Sequence, residues 1–363
     1  MADGTTVTER ERFAGCLLGG AVGDALGAPV EFTKRSEILR TFGPNGITSY
    51  VSAYGGLGKI TDDTQMTLFT AEGLLRAQVR LVLKGTTTYP GVVAHAYLRW
   101  LQTQGEQPLC DMDSGTGETG WLFAQQALHS RRAPDLTCIS ALKAMTSFGD
   151  PARNDSKGCG CIMRVAPVGL FGSRLSLSPR ETFCLAADLA ALTHGHRTGK
   201  LSAGVFAVLI KELAEGAGID EALVKAKAIL KSRRHNDETL RALEHAEVLA
   251  ASDTPREAAI PNLGGGWIAE EAMAIAVYCA WVARDFRDGV VLAVNHDGDS
   301  DSTGSMVGNL LGAMYGVKAI PREWLDRLEL RDVISELAED LYGFREWEFD
   351  KNQDAIWRKY PGF

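Results

Sequence analysis

Glycine recurs at every fourth position in two widely separated stretches of this chain. The glycines of these two stripes are Gly19, Gly23 and Gly27 in GGAVGDALGAP, and Gly304, Gly308, Gly312 and Gly316 in TGSMVGNLLGAMYG. Each costs a helix about 1 kcal/mol relative to alanine, so seven require a compensating close approach of backbones. Asp24 and Asn309 lie inside these stretches and argue against a dimerising membrane span. The pattern therefore predicts two tightly packed central helices, with Asp24 and Glu31 belonging to the first.

Apolar residues recur at a period near 3.6 through much of the chain, and no convincing set of alternating strands is found. The segments with this period are residues 12–32, 67–84, 92–102, 181–195, 202–216, 219–232, 239–251 and 270–286. Turn signals at 42–46 and 253–267 separate helices without a long linker. The sequence therefore predicts an all-α fold, a single domain over residues 1–363. Within it, residues 321–363 are expected to be an extension that packs its aromatic side chains on the body.

Composition is that of a globular protein. Of its 363 residues 45% are hydrophobic and 23% are charged, which allows a substantial core. The longest apolar run, residues 272–283, is too short to span a bilayer. A net charge of −8 argues against nucleic acid as the main partner. Seven cysteines, mostly in apolar stretches, and an N-terminus without a signal-peptide pattern lead us to expect reduced thiols and a cytoplasmic location. No membrane partner is expected, and a monomer is the default oligomeric state.

Aspartates occupy alternate positions in NHDGDSDSTG, residues 295–304, as Asp297, Asp299 and Asp301. Neighbouring carboxylates repel one another unless a cation relieves them, so the cluster suggests a metal site. Asp, Ser and Gly also form polar turns and helix N-caps, so both interpretations stay open for this segment alone. An EF-hand does not fit, because Ser302 and Gly308 stand where that loop needs Gly and Glu.

A second acidic segment begins another helical pattern. Thr61, Asp62 and Asp63 directly precede the amphipathic part of KITDDTQMTLFTAEGLL, residues 59–75. The helix dipole favours anions at this position, but one cap needs only one oxygen. Two such helix starts in one all-α chain are better explained by a shared metal centre between helix N-termini. Oxygen ligands favour Mg²⁺ or Mn²⁺ over Ca²⁺, and the number of carboxylates suits two ions.

Five segments resemble motifs of the ADP-ribosylglycohydrolases, the family of dinitrogenase reductase activating glycohydrolase and the eukaryotic ADP-ribosyl-acceptor hydrolases. They are GDALGAPVEF, TDDTQM, SKGCGCIMRVAPVGLF, THGHRTG and NHDGDSDSTG. The resemblance extends from about residue 10 to about residue 320. It implies an all-α fold, a binuclear Mg²⁺ or Mn²⁺ centre, and cleavage of the bond between ADP-ribose and an acceptor, often a protein side chain.

The resemblance also implies three sets of site residues. The implied metal ligands are Thr61, Asp62, Asp63, Asp299, Asp301 and Ser302. The implied catalytic residues are Glu31, Asp62, Asp63 and Asp301. The implied ADP-ribose-binding residues are Ser156, Lys157, Gly158, Gly160, Met163, Arg164 and His194. Asp297 then lies outside the ligand set, and Cys159 stands where some relatives have Asn.

Without the resemblance, several of these residues would be given structural roles. Glu31 would be an exposed charge at a helix end, and residues 155–164 a surface loop. A lone histidine is more often structural, but the position of His194 directly after a helix and before Gly195 favours exposure at a cleft. Cys161, like Cys159, departs from the pattern of relatives, which leaves the ligand contacts of this loop open.

Hydrolysis at the anomeric carbon of ribose passes through an oxocarbenium-like state, for which metals and carboxylates would hold the ribose and activate water. Glu31 or a metal-bound carboxylate is the hypothesised base. Arginine on a protein is the favoured acceptor, and serine, a nucleobase or a small metabolite stay open. Two other classes also stay open: a non-catalytic ADP-ribose-binding relative, and a two-metal nucleotide phosphoesterase.

Overall fold

The computed structural model describes residues 7–112 and 119–362, which form α-helices joined by turns and short 3₁₀ segments. The helices of these residues are α1 (Glu9–Gly27), α2 (Arg35–Phe42), α3 (Asp62–Lys84), α4 (Tyr89–Thr103), α5 (Leu136–Ala144), α6 (Ala166–Arg174), α7 (Pro179–Ala191), α8 (Arg197–Ala214), α9 (Ile219–Lys231), α10 (Asp237–Ala250), α11 (Arg256–Leu263), α12 (Ala269–Val282), α13 (Phe286–Val294), α14 (Ser300–Tyr315), α15 (Arg322–Leu325), α16 (Arg331–Gly343) and α17 (Phe349–Lys359). Within the described ranges there is no strand, and none of the helices is long and apolar enough to cross a bilayer. The all-α prediction is confirmed.

The two glycine-striped helices, α1 and α14, lie antiparallel with their backbones in contact and are buried along most of their length. A Cβ atom at Gly19 would lie closer than 3.0 Å to the carbonyl oxygen of Gly308. One at Gly23 would meet the carbonyl oxygen of Gly304 in the same way. The prediction of two closely packed helices is confirmed, and the neighbour that each requires is the other.

Two details of that prediction were wrong. Glu31 is not part of the first helix, because α1 ends at Gly27 and Glu31 lies in the turn that follows. Gly316 does not continue the stripe inside a helix, since it ends α14 with a φ of +73°. Gly15 supplies the remaining contact of α1, because a Cβ atom there would lie closer than 3.0 Å to the carbonyl oxygen of Gly312.

Each of the eight segments with helical period overlaps one of the long helices, and most of these helices begin a few residues before the segment: α1, α3, α4, α7, α8, α9, α10 and α12. The turn at 42–46 is confirmed, with positive φ at Gly43 and Gly46. The assignment of 253–267 to a turn was wrong for its central part, where α11 forms with Pro261 inside it. Short helices such as α2 and α13 escaped prediction because eight or nine residues hold too few turns for a period to stand out.

The C-terminal segment lies against α3. Tyr360 is buried, and its ring packs edge-on against Trp121, with centroids 6.4 Å apart. The carbonyl oxygen of Pro361 accepts a hydrogen bond from Nε of Arg76 at 2.7 Å. The aromatic residues of this segment therefore pack on the body of the protein.

Substitution of Gly23 by alanine is expected to destabilise the fold by about 1–3 kcal/mol, because the new methyl group forces α1 away from α14. The measurement is urea unfolding followed by circular dichroism. Gly343→Ala is the matched control, since a Cβ atom at that helix end meets nothing within 4 Å. Its expected effect is neutral or slightly stabilising. Equal stability of the two variants would contradict the close packing of the two helices.

Candidate metal centre

A buried aspartate of α1 holds the N-terminus of α3. The carboxylate of Asp24 accepts hydrogen bonds from the backbone N–H and hydroxyl groups of Thr61 and Thr64 at 2.5–3.1 Å. The Thr61 hydroxyl also caps α3 by accepting from the N–H of Asp63 at 3.4 Å. Asp62 and Asp63 are thereby fixed in the first turn, where both are buried.

The N-terminus of α14 brings a second acidic pair to the same place. Asp299 is the N-cap, and its Oδ1 accepts from the N–H of Ser302 at 3.2 Å. Oδ1 of Asp301 accepts from the same N–H at 3.0 Å. Asp297 is exposed instead and accepts from the N–H of Arg35 at 2.5 Å. Two of the three alternating aspartates therefore point toward α3, and the third lies outside.

A cavity of about 370 Å³ lies between the starts of α3 and α14. Carboxylate oxygens of Glu31, Asp299 and Asp301 lie within 4.8 Å of one another there. Glu31 is only 8% exposed, so its interpretation as an exposed charge was wrong. The lining residues are Glu31, Phe32, Asp62, Asp63, Ala133, Pro134, Asp135, Leu136, Gly158, Cys159, Met163, Trp267, Asp299, Asp301 and Ser302. Thr61 is buried beside Asp63 without lining the cavity.

The electrostatics of the cavity are those of crowded, desolvated carboxylates. Burial and then the charges of Asp301 and Asp299 raise the pKa of Glu31 to about 10. Burial and the charge of Asp301 raise the pKa of Asp24 to about 7. Burial is also the largest cause of the raised pKa values of Asp62, Asp63, Asp299 and Asp301. No lysine, arginine or histidine stands among the lining residues of the described chain, so these groups need a cation to ionise together.

Two carboxylate oxygen atoms of the cluster also indicate that a cation is needed. Oδ1 of Asp63 and Oε2 of Glu31 are buried and accept no hydrogen bond within the described chain. Buried carboxylate oxygens normally have hydrogen-bond donors or metal ions as partners. The donor set, carboxylates with the hydroxyl of Ser302, fits hard divalent cations.

The loop at 155–164 contributes three lining residues, Gly158, Cys159 and Met163. The hydroxyl of Ser156 accepts from the N–H of Gly158 at 3.3 Å, which stabilises the bend of this loop. Gly160 allows the carboxylate of Asp135 to approach, because a Cβ atom at Gly160 would overlap that carboxylate. The loop therefore meets the cavity with uncharged residues only.

Two predicted ADP-ribose-binding side chains are engaged outside the cavity. Lys157 forms ion pairs with Glu238 at 2.9 Å and with Glu270. Arg164 is fully buried, and its guanidinium lies 4.5 Å from the ring centroid of Tyr97. In this structure both residues hold the loop in place and do not line the cavity.

His194 lies next to the cavity wall but does not line it. It is fully buried, with Nε2 3.2 Å from Oδ2 of Asp135 and Nδ1 2.8 Å from the hydroxyl of Thr193. Burial lowers the pKa of His194, which favours the neutral ring. Asp135 is the member of this pair that faces the cavity, and its N–H donates to Oδ2 of Asp62 at 3.0 Å.

A family model described as ADP-ribosylglycohydrolase matches residues 5–350. The chain belongs to the ADP-ribosylglycohydrolase family. It is 26% identical to the ADP-ribosylarginine hydrolase Tri1 of Pseudomonas putida, over 92% of this chain and 78% of that protein. It is 26% identical to the ADP-ribosyl-[dinitrogen reductase] glycohydrolase of Rhodospirillum rubrum, over 88% and 91% of the two chains. A solved structure titled ADP-ribosylglycohydrolase-related protein complex is 29% identical with a TM-score of 0.66, covering 92% of this chain and 98% of that chain.

Membership in the ADP-ribosylglycohydrolase family assigns the enzyme class, an ADP-ribosyl-acceptor glycohydrolase. The resemblance drawn from five motifs is confirmed, and so is the ADP-ribosylglycohydrolase type of fold. The family model covers the acidic helix starts and the loop at 155–164 together. The cavity described above is therefore the candidate active site of this ADP-ribosylglycohydrolase.

The sequence did not point to several residues that line the site of this ADP-ribosylglycohydrolase. Phe32 and Trp267 are 76% and 42% exposed and stack on each other with centroids 5.6 Å apart at the cavity. Trp267 could have been found from the sequence, because it follows three glycines in GGGW. Three glycines predict a loop between helices, and a large aromatic residue on a loop is a candidate for ligand binding. Asp135 had no comparable signal, because it follows Pro134 in an ordinary polar connection.

Proposed function

We propose that this protein hydrolyses the N-glycosidic bond between ADP-ribose and arginine on a modified protein, using two divalent cations, Mg²⁺ or Mn²⁺. The observation that carries the proposal is a cavity lined by six carboxylates and no basic side chain among the described residues. Relatives named for the removal of ADP-ribose from arginine and from dinitrogen reductase support the choice of substrate.

The acidic helix starts would hold the cations. Asp62 and Asp63 would bind from α3, and Asp299, Asp301 and Ser302 would bind from α14. Thr61 does not line the cavity, and its hydroxyl would stabilise Asp63 by hydrogen bonding. Bound there, the ions would supply positive charge that polarises oxygen atoms of ribose and water. The residues fit this role because their oxygens are already gathered on rigid helix ends and lack a countercharge.

Glu31 is the residue best placed to take a proton from the attacking water. Its Oε2 accepts no hydrogen bond within the described chain, and its carboxyl group lines the cavity beside Asp299 and Asp301. A base needs an unengaged oxygen within reach of the proton that it removes. The guanidine that leaves is itself a strong base, so proton uptake by the leaving group needs little help from the protein.

The exposed aromatic pair suits the nucleoside part of the substrate. Phe32 and Trp267 are stacked with an angle of 15° between their planes, at the mouth of a cavity that is charged inside. Aromatic planes at a site entrance bind nucleobases by stacking and exclude water. This arrangement supports a stacking surface that would take adenine and an acidic interior that would take the ribose that reacts.

Trp267→Ala is expected to raise KM by roughly tenfold with kcat nearly unchanged, since stacking contributes about 1–3 kcal/mol per base. The measurement is steady-state kinetics on an ADP-ribosylated arginine substrate. Trp267→Phe is the control and is expected to stay near the wild-type KM. A Trp267→Ala enzyme with an unchanged KM would place the adenine elsewhere.

The proposed function is tested by incubating the protein with an arginine-ADP-ribosylated protein and a serine-ADP-ribosylated peptide, in Mg²⁺, Mn²⁺ or EDTA. Mass spectrometry identifies the nucleotides that are released. Metal-dependent release of intact ADP-ribose from the arginine substrate alone is the expected result. Release of AMP would indicate a phosphoesterase, and no release despite binding of ADP-ribose would indicate a non-catalytic relative or another acceptor.

A further inference from the structure

One lining residue of the acidic cavity is a cysteine. The thiol of Cys159 donates a hydrogen bond to Oδ2 of Asp299 at 2.7 Å, and Sγ lies 3.7 Å from the hydroxyl of Ser302. Cys159 is partly exposed and lines the cavity with both of these residues. A sulfur atom is therefore in direct contact with two of the proposed metal ligands.

The backbone fixes this sulfur in position. Cys159 begins a 3₁₀ turn that ends at Cys161, and its N–H donates to the carbonyl oxygen of Trp267 at 3.0 Å. Cys161 points elsewhere, since its thiol donates to the carbonyl oxygen of Gly158 at 3.2 Å. Of the two cysteines in this turn, Cys159 is the one whose sulfur faces the carboxylates.

The distances suit a shared coordination sphere. Metal bonds of about 2.3 Å to sulfur and about 2.1 Å to oxygen place the two ligand atoms roughly 3.1–3.6 Å apart. The two separations at Cys159 lie on either side of that range, so small side-chain rotations would bring Sγ and both oxygens onto one ion. Oδ1 of Asp63 and Oε2 of Glu31 are buried and accept no hydrogen bond within the described chain, which independently supports a cation as their partner.

We infer that Cys159 is a ligand of the metal centre and shifts its preference from Mg²⁺ toward more thiophilic divalent ions such as Co²⁺ and Zn²⁺. The inference rests on the proposed metal centre. Coordination forms a bond from a sulfur lone pair to the cation, and the thiol proton now shared with Asp299 leaves to solvent. Thiolate favours softer ions, whereas the oxygen atoms of carboxylates, hydroxyl groups and water favour Mg²⁺.

The test is a titration of the metal-free protein with Co²⁺, followed by its absorption spectrum. Wild type is expected to show a near-ultraviolet sulfur-to-cobalt charge-transfer band, which Cys159→Ser and Cys159→Asn lose. Cys184→Ser is the matched control, because Cys184 is also partly exposed but lies on α7, and it is expected to keep the band. Calorimetry should show Zn²⁺ affinity falling by about tenfold or more in both Cys159 variants while Mg²⁺ affinity is retained.

The results of these experiments distinguish the sulfur ligand from the proposed metal centre on which it rests. Two results would contradict the sulfur ligand without contradicting the metal centre. One is Co²⁺ binding to wild type without the charge-transfer band. The other is a Zn²⁺ affinity that is the same in wild type and in both Cys159 variants. Failure of wild type to bind any divalent ion would overturn both. Circular dichroism of each variant confirms that a lost band does not reflect unfolding.

Discussion

Asp301→Asn is expected to reduce kcat/KM by at least about a thousandfold, which corresponds to about 4 kcal/mol of transition-state stabilisation. Asp301 is the central acid of the site, since its carboxylate lies within 4.8 Å of Glu31 and Asp299 oxygens and raises the pKa of Glu31, Asp63 and Asp24. Asparagine keeps the shape and removes the charge that would hold a cation. The measurement is kcat/KM on an arginine-ADP-ribosylated protein at saturating Mn²⁺.

Asp297→Asn is the matched control for this experiment. The same chemical change is made four residues earlier, at an exposed side chain that accepts a hydrogen bond from the backbone of Arg35. Activity near wild type is expected for this variant. Retained activity in Asp301→Asn, or an equal loss in Asp297→Asn, would contradict the assignment of the ligands.

Without divalent ions, the protein is expected to lose stability as the pH rises from about 7 to about 8.5. In the folded state the pKa of Glu31 is raised from 4.5 to about 10, and that of Asp24 from 3.8 to about 7. Acids with raised folded pKa values bind more protons than the unfolded chain does, so their contribution is present at low pH and is lost as the pH rises. Below about pH 7, buried histidines with lowered pKa values act in the opposite direction, so the higher window avoids their contribution.

Divalent ions are expected to reverse this loss. At a free concentration about a thousand times Kd, binding to the folded state alone adds about 4 kcal/mol, or roughly 5 °C in Tm for a chain of 363 residues. The measurement is thermal unfolding in EDTA and in Mn²⁺ across the pH window, for wild type and Asp301→Asn. A pH profile in EDTA that is flat or rises, or a Tm that Mn²⁺ leaves unchanged, would show that these carboxylates do not form a cation site.

The central helices were predictable because glycine at every fourth position has a single physical use in a buried helix, close backbone contact. The pattern does not identify which helix packs against which, because a glycine stripe on α1 or α14 would allow close contact with any neighbouring helix. The ends of helices were less predictable for a related reason. Pro29 and the apolar Val30 extend the apolar period past Gly27, but a proline at position 29 lacks the N–H that another helical turn needs, and α1 ends at Gly27.

The acidic half of the site was predictable and the rest was not. The starts of α3 and α14 each hold more carboxylates than an N-cap needs, and this excess predicts a cation site from the sequence alone. By contrast, the direction of Arg164 depends on Tyr97, which lies on a distant helix. Trp267 reaches the cavity only because its loop packs against the turn before α14, where the carbonyl oxygen of Gly265 accepts from the N–H of Asp299 at 2.8 Å. Contacts between segments far apart in the chain leave no periodic signal.

The pairing of α1 with α14 also has a consequence for synthesis on the ribosome. The facing glycines are roughly 285 residues apart in the chain, so at about 5–20 residues per second the first helix waits roughly 15–60 s for its partner. During that interval the acids that follow α1 and begin α3 have no counterpart from α14. A nascent chain therefore cannot assemble the proposed ligand set until α14 has been synthesised.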